Sequence, residues 1–496
     1  MSTADRPENN AARFLPPLAV FLFLLHLGWV LVDPDKPLAD PGTGWHVKLG
    51  EMLVREGRIP ATDPLSYTLP GRAWVDYQWL SHLLMGMLHR AGGLPLLTAG
   101  WSLAFALIPL LLVRRLMHEG TPVLCAWFLA FTAYLVMTMH AQVRPHVVTY
   151  LLMVLLLGWL AGGWRQRWWA VLLFPFWCNL HAGFMAGLVV LAAYAAGECA
   201  AAWIKEKHPP VREMVAWAGL GLLCGLATLV NPWGWALHRH ILDLLHMKMV
   251  SRWEEYLPVW HHQGANVALF AGLALFWAWA ACAHFRKARP GELASGAVLL
   301  YFAIGAVRHV NLFVIAALPL LGLALASAFD RFLPGGAQAR QRLLRDQRSS
   351  ITTWVYTLMA GMGFLALTLL MPGLFRRDLR GLQVSAEGLD AVGRLPVEVR
   401  LFHPESMGGV IAYTYGPERR VFVDDRLDYF GDDFFLHTYL PLLDGAENWR
   451  EMFDRLGVGA ALVPQSSGLA RRMRDSTDWR MDWSDDEHIL FERRGP

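Results

Sequence analysis

The sequence predicts a polytopic α-helical membrane protein of about eleven transmembrane helices, followed by a soluble C-terminal α/β domain. Three observations predict it. Hydrophobic residues make up 55% of the 496-residue chain and charged residues only 17%, too few to cover a water-facing surface of this size. Apolar runs close to the roughly 20 residues that a spanning helix needs recur as far as residue 372. Beyond that point the pattern changes, and charged helical periods alternate with short β-branched runs.

Spans are expected at 14–32, 94–113, 121–140, 146–163, 168–180, 183–204, 213–231, 265–285, 292–307, 309–329 and 351–372. The first lacks a small-x-small cleavage site before Asp33-Pro34, so it reads as an uncleaved helix rather than a signal peptide. Basic residues bias the short loops: Arg114-Arg115, Arg165 with Arg167, Lys205 with Lys207 and Arg212, Arg286-Lys287 with Arg289, and Arg340 through Arg348 fall on one face. That face is expected to be cytoplasmic, with the N-terminus inside and the tail outside. The net charge of +3 and the lack of a long basic run argue against a nucleic-acid partner. None of the five cysteines has CxxC spacing, so neither a disulfide framework nor a zinc site is indicated.

The expected membrane domain, 1–372, has two long outer loops, 33–93 and 232–264. In the first, Trp45, Leu49, Met52 and Leu53 recur at helical spacing with Lys48, Glu51 and Arg55 between them. This predicts an amphipathic helix lying in the membrane interface, started at or near Thr43. Pro60, Pro64 and Pro70-Gly71 then mark turns. The second loop predicts a helix over 238–250. In the periplasmic tail, 373–496, helices are expected at 385–394 and 448–456, strands at 420–423 and 460–463, and a hairpin of 481–483 with 488–491.

Ionisable residues beside spans are costly unless they serve packing, hydration or function. On this topology Arg144-Pro-His146, Asn179-Leu-His181, Asn231-Pro-Trp-Gly234, Glu254-Glu255 and Arg308-His309 all lie at outer ends of spans. Asp40, His46, Asp63 and Asp76 lie in the adjoining loop. The arrangement implies carboxylates, imidazoles and guanidiniums around one aqueous cavity. Each has a plainer reading. The Asn231 motif also suits a helix stop, Arg144 or Arg308 a snorkelling side chain, and His181 a packing group.

Several of these motifs carry a resemblance. Asp40-Pro-Gly-Thr-Gly-Trp-His46, Gly50-Glu51, Gly57-Arg-Ile-Pro60, Asp63-Pro-Leu-Ser-Tyr67 and the stretch from Trp74 to Trp79-Leu80 resemble a group of bacterial membrane proteins of the GT-C glycosyltransferase superfamily. Arg144-Pro145, Asn179-Leu-His-Ala-Gly183, Asn231-Pro-Trp-Gly234 and the segment around Arg426 extend the likeness over most of the chain. The resemblance implies a GT-C-like fold in a bacterial inner membrane, and transfer of a sugar from a polyprenyl-phosphate carrier to a glycan, lipid or protein acceptor. It implies Asp40 as general base, or as ligand of a divalent cation such as Mg or Mn, with His46 and Asp63 shaping the catalytic pocket. Arg144, His146 and Arg308 would engage the lipid phosphate, with Asn179, His181, Asn231, Glu254, Glu255 and His309 as further substrate-binding groups.

The likeness has two departures. Relatives often carry a second acid where this chain has Gly42, and a Glu where it has Gln78. Fewer carboxylates weaken a hard-cation site, unless Asp63, Asp76 or Glu254 supplies the missing charge. The tail motif Val421-Phe-Val-Asp-Asp-Arg-Leu-Asp-Tyr429 places acids at a strand end, where an Asp-Arg pair serves a turn as readily as a ligand site. The preferred expectation is an inverting transferase. The alternatives are a noncatalytic lipid-glycan-binding or scaffold protein, which Gly42 and Gln78 favour, and, last, a transporter.

Overall fold

The computed structural model describes residues 18–332 and 350–494, so the basic run Arg340 through Arg348 and the start of the first expected span lie outside the described residues. The chain opens with α1 (Leu18–Val32), α2 (Thr43–Glu56) and α3 (Trp79–His118). Apolar helices follow at Val123–Met137, His146–Leu160, Ala170–Leu180, Phe184–Glu206, Val211–Ala227, Ala265–His284, Pro290–Gly305, Val310–Phe332 and Ser350–Leu370. Each expected span thus corresponds to a helix. By length and composition, however, six of the described helices suffice to cross a membrane. Ala170–Leu180 shows why the count falls: its 11 residues rise only about 17 Å, against a hydrocarbon core of about 30 Å.

α3 starts well before the expected 94–113, but its 40 residues are two helices. Gly92 and Gly93 are non-helical, and Gly93 has φ 65°, a conformation that disfavours any residue with a Cβ. Pro95 follows at the start of the second piece, where its missing N–H costs nothing. The second piece and Val310–Phe332 form the centre of the bundle, with 67% and 72% of their most apolar windows buried. Ala265–His284 and the helix ending at Leu370 have only 22% buried, which leaves most of their apolar surface for lipid.

α2 begins at Thr43 as its periodicity predicts, but most of its residues are buried within the protein. It is wedged between the first piece of α3 and a helix of the tail, Glu405–Tyr415, and Trp45, His46, Val47 and Gly50 are all buried. Glycines allow the wedge. A Cβ on Gly50 would lie 2.1 Å from His82 O, and one on Gly44 would lie 2.1 Å from Gly409 O. In the 232–264 segment the helix is Trp235–Leu245, followed by short 3-10 turns. This segment docks on the tail, where the Asp432 carboxylate accepts from the N–H groups of Lys248 (2.7 Å) and Met249 (2.8 Å).

The tail is α/β. Its sheet has the order β1 (Arg400–Phe402), β2 (Val458–Pro464), β4 (His488–Arg493), β3 (Trp479–Ser484). β1 and β2 are parallel, and β3 and β4 form the expected hairpin. Helix Ala386–Arg394 is capped by Ser385, whose hydroxyl accepts from Gly388 N, and Trp449–Leu456 lies where the second tail helix is expected. The expected strand 420–423 is corrected. Val421 does not join the sheet but pairs with the first loop: its N–H donates to Leu65 O at 2.9 Å, and its carbonyl accepts from Tyr67 N at 3.1 Å. That pairing carries the acids after Val421 into the membrane half of the molecule.

Candidate functional site

Arg144 sits in the short connection ahead of helix His146–Leu160, where Pro145 and the turn before it stop the preceding helical run. Its guanidinium meets three carboxylates from three parts of the chain. Asp40 Oδ2 lies at 3.2 Å from Nη1, Glu255 Oε2 at 3.5 Å from Nη1, and Asp425 Oδ2 at 3.4 Å from Nη2. Glu255 extends the row through Oε1 to Arg308 at 3.2 Å, and Arg308 stacks on Tyr256 with its guanidinium carbon 4.2 Å from the ring centre. Asp40 is held from behind by Gly42 N at 2.8 Å, and Asp425 by the Trp45 indole N–H at 2.5 Å.

Three carboxylates face two guanidiniums here, so the row carries one negative charge in excess when all are ionised. Burial and the crowding of like charges therefore favour a proton on one acid. Burial raises the Asp40 carboxyl above its ordinary value, with Arg144 and Gly42 N pulling against it. Burial pushes the Asp425 carboxyl up to about 7, opposed by Arg144 and reinforced by Asp40. Glu255 is also penalised by burial, but Arg308 and Arg144 together hold it below the ordinary range. Arg144 resists its own desolvation because Asp40, Glu255 and Asp425 stabilise its charge.

A second tier lies beside the first. Arg426 donates to Asp63 at 2.7 Å and grips Asp424 through Nε (2.8 Å) and Nη2 (2.7 Å). Its guanidinium also stacks against Trp45, Trp74 and Tyr429. Asp63, expected in the catalytic pocket, is fully enclosed here. It accepts from Leu65 N, Ser66 N and the Ser66 hydroxyl as well as from Arg426. Those bonds spend its lone pairs on shaping the first loop around the tail.

Between the tiers lies a cavity of about 40 Å³, room for a few water molecules. His46, His82, Asp76, Trp45, Arg144 and Asp425 are among its lining residues. His46 Nδ1 is 2.8 Å from His82 Nε2, and His82 Nδ1 is 2.9 Å from the Asp76 carboxylate. Asp40, Arg144, Glu255 and Arg308 are thus brought together, with His46 in the adjoining wall.

The remaining expected residues make local contacts. His146 donates to His140 O at 2.9 Å. Asn179 ties three segments together: it accepts from the Trp79 indole (2.7 Å) and donates to Pro175 O and Val230 O (both 2.7 Å). His181 Nδ1 meets Thr149 Oγ1 at 2.9 Å and accepts from Gly183 N. Asn231 closes its own turn, donating to Thr228 O and Gly234 O and accepting from Trp233 N, which is the helix-stop reading of its motif. Glu254 is exposed, and His309 reaches back to Phe302 O at 3.3 Å. Asp425 and His82 were not among the expected site residues, whereas Asp76 was expected beside the cavity in the first loop. For Asp425 the only sequence signal is the acid-rich run after Val421.

The expected divalent cation fits this residue set poorly. The positive charge beside Asp40 is the Arg144 guanidinium, and among the described residues no group of three or more histidine, cysteine, aspartate or glutamate side chains is placed to hold a metal ion.

No family model matches the sequence, and no curated protein matches it. Solved structures do. The oligosaccharyltransferase of Archaeoglobus fulgidus in its apo form superposes with a TM-score of 0.57 at 13% identity, over 92% of this chain and 70% of that one. The archaeal oligosaccharyltransferase AglB from Archaeoglobus fulgidus, in complex with an inhibitory peptide and a dolichol-phosphate, gives 0.55 at 12% identity, over 90% and 69%. ArnT from Cupriavidus metallidurans bound to undecaprenyl phosphate gives 0.49 at 15% identity, over 95% and 97%. The fold of this chain is thus similar to that of the archaeal oligosaccharyltransferase over most of its length.

Proposed function

We propose that the protein is a membrane glycosyltransferase that moves a sugar from a polyprenyl-phosphate-type carrier to an acceptor in the periplasm or envelope. In this reading it is a multi-pass protein of a bacterial inner membrane, with its N-terminus in the cytoplasm and residues 373–496 forming a periplasmic domain. One observation carries the reading. Arg144 and Arg308 stand where the membrane helices, the first loop and the tail converge, and the groups that neutralise them are carboxylates. A lipid phosphate offers the same oxygen chemistry and can take the place of Asp425 and Glu255 on the two guanidiniums. The oligosaccharyltransferase that shares the fold is recorded with a dolichol-phosphate.

The chemistry follows from charge. In transfer, the acceptor oxygen bonds to the anomeric carbon as the bond from that carbon to the phosphate oxygen breaks. The departing phosphate gains negative charge, which Arg144 and Arg308 are placed to stabilise. The acceptor's proton goes to a carboxylate of the Asp40–Asp425 pair. Asp425 is the member that lines the cavity.

A noncatalytic lipid-glycan-binding or scaffold role is favoured by one observation: the cavity of about 40 Å³ is too small for a sugar ring, so transfer requires the tail to move. Native mass spectrometry of the gently purified protein, with a transfer assay beside it, separates the readings. We expect a co-purified polyprenyl-phosphate species that is lost in Arg144→Ala, and turnover that is lost in Asp40→Asn and Asp425→Asn. A carrier bound without turnover in any preparation would leave the scaffold reading. No carrier at all, in wild type or variant, would remove the basis for both.

A further inference from the structure

His46 brings to the cavity lining a buried ring nitrogen that has no partner among the described residues. The residue is 1% exposed, and its Nε2 has no hydrogen-bond partner among the described residues. A buried polar atom left in that state costs about 1–3 kcal/mol and calls for an explanation. His403, a core histidine of the same chain, shows the contrast. Its Nδ1 bonds to Pro404 O at 2.9 Å and its Nε2 accepts from Phe422 N at 3.0 Å. Among the described residues, four other histidines have a buried nitrogen without a partner (His140, His238, His262 and His488), but none of them lines this cavity.

The hydrogen-bond chain behind His46 settles what Nε2 offers. The Asp76 carboxylate only accepts, so His82 Nδ1 carries the hydrogen between them. With His82 neutral, its Nε2 accepts, so His46 Nδ1 donates across the 2.8 Å contact. His46 Nε2 is then a bare lone pair. Burial, with the charges of Arg144 and Arg426 nearby, holds the imidazole well below its ordinary proton affinity. It therefore stays a neutral acceptor and is a poor base. Every cation around the cavity would bind an anion, whereas this nitrogen asks for a neutral donor.

We propose that His46 Nε2 accepts a hydrogen bond from a hydroxyl of the sugar borne on the lipid phosphate, so that it selects glycosylated carrier over bare carrier. This rests on the carrier reading above. Both line the same small cavity, so once the tail moves to admit the sugar, Arg144 takes the phosphate and His46 reads the group beside it. Asp76 and His82 are positioning residues: they act by fixing the His46 tautomer. A site built to hydrogen-bond a hydroxyl discriminates strongly against a ligand without one, because its own polar group is left unpaired.

The test uses the detergent-solubilised full chain and two kinds of probe, undecaprenyl phosphate and its glucosyl, mannosyl and arabinosyl phosphodiesters. Wild type should bind at least one glycosylated form more tightly than bare carrier. His46→Phe should weaken that form about tenfold more than bare carrier. Asp76→Asn should also lose discrimination, since an amide can present either its oxygen or its NH₂ to His82 and no longer fixes the tautomer. Equal weakening of both carriers in His46→Phe would reduce His46 to a packing role and overturn the proposal. Bare carrier bound as tightly as every glycosylated form by wild type would overturn it too, while leaving the carrier reading intact. Failure to bind any carrier would take down both. Should His46→Phe not fold, ¹⁵N spectra of wild type decide: an unprotonated His46 Nε2 that shifts on adding glycosylated carrier supports the proposal, and a protonated Nε2 ends it.

Discussion

Asp425 fills the space into which a side chain on Gly42 would grow. A Cβ at Gly42 would lie 2.7 Å from Asp425 Oδ2 and 3.1 Å from Asp40 Oδ1. The first loop carries no acid at this position, and a carboxylate from the tail stands beside it instead. Gly42 has φ −77°, so alanine fits the backbone and only sterics oppose it. Gly42→Ala should cost about 1–3 kcal/mol by overpacking. Thermal unfolding in detergent checks this, and adding Asp425→Gly should recover part of the loss. Strict additivity of the two changes would contradict the contact.

The raised Asp425 carboxyl predicts a pH dependence. Deprotonated, it competes with a ligand phosphate for Arg144; protonated, it releases the guanidinium. Carrier affinity should therefore rise as pH falls from 8 to 6, through the Asp425 value of about 7. The sign for stability agrees. A carboxyl raised in the fold binds more protons there than in the unfolded chain, so stability falls as pH climbs toward that value. A glycosyl phosphodiester carrier is the right probe, because it lacks the second phosphate ionisation near pH 6. Asp425→Asn should flatten the profile.

Arg426 predicts a split between stability and chemistry. Arg426→Ala leaves Asp63 and Asp424 buried without their counter-charge, which should cost about 3–5 kcal/mol. Lysine should not rescue it, since it cannot reproduce the two-pronged grip on Asp424. Asp63→Asn should lower the unfolding temperature while surviving protein keeps its turnover. Lost turnover at unchanged stability would return Asp63 to the catalytic role expected from its motif.

Chelation addresses the metal. Because Arg144 supplies the positive charge beside Asp40, carrier binding and transfer should survive EDTA. Loss on chelation and recovery with Mn or Mg would mean that carboxylates of the Asp40 row regroup around an ion when substrate binds.

Much of the fold was legible because its determinants are local. The helix starting at Thr43, the cap at Ser385 and the terminal hairpin each follow from a few neighbouring residues. That Arg144, Glu255, Arg308 and Asp40 belong to one cluster of charges was legible because ionisable groups beside apolar spans stand out. The strand expected at 420–423 was misplaced, since a β-branched run states a preference for extended backbone without naming its partner. Asn179, Asn231 and Asp63 were expected near substrate because their residue types suit ligands and structural ties equally.

The sequence by itself determined a membrane bundle, a helical first loop, an α/β tail and a set of charged residues grouped near helix ends, since hydropathy, periodicity and caps act over a few residues. Only the tertiary structure decided which charges meet. Asp425 reaches Arg144 across 281 positions because Val421 pairs with the first loop, and α2 is enclosed because Gly44 and Gly50 admit two backbones at close approach. Such contacts depend on how whole elements pack, and no local preference encodes them.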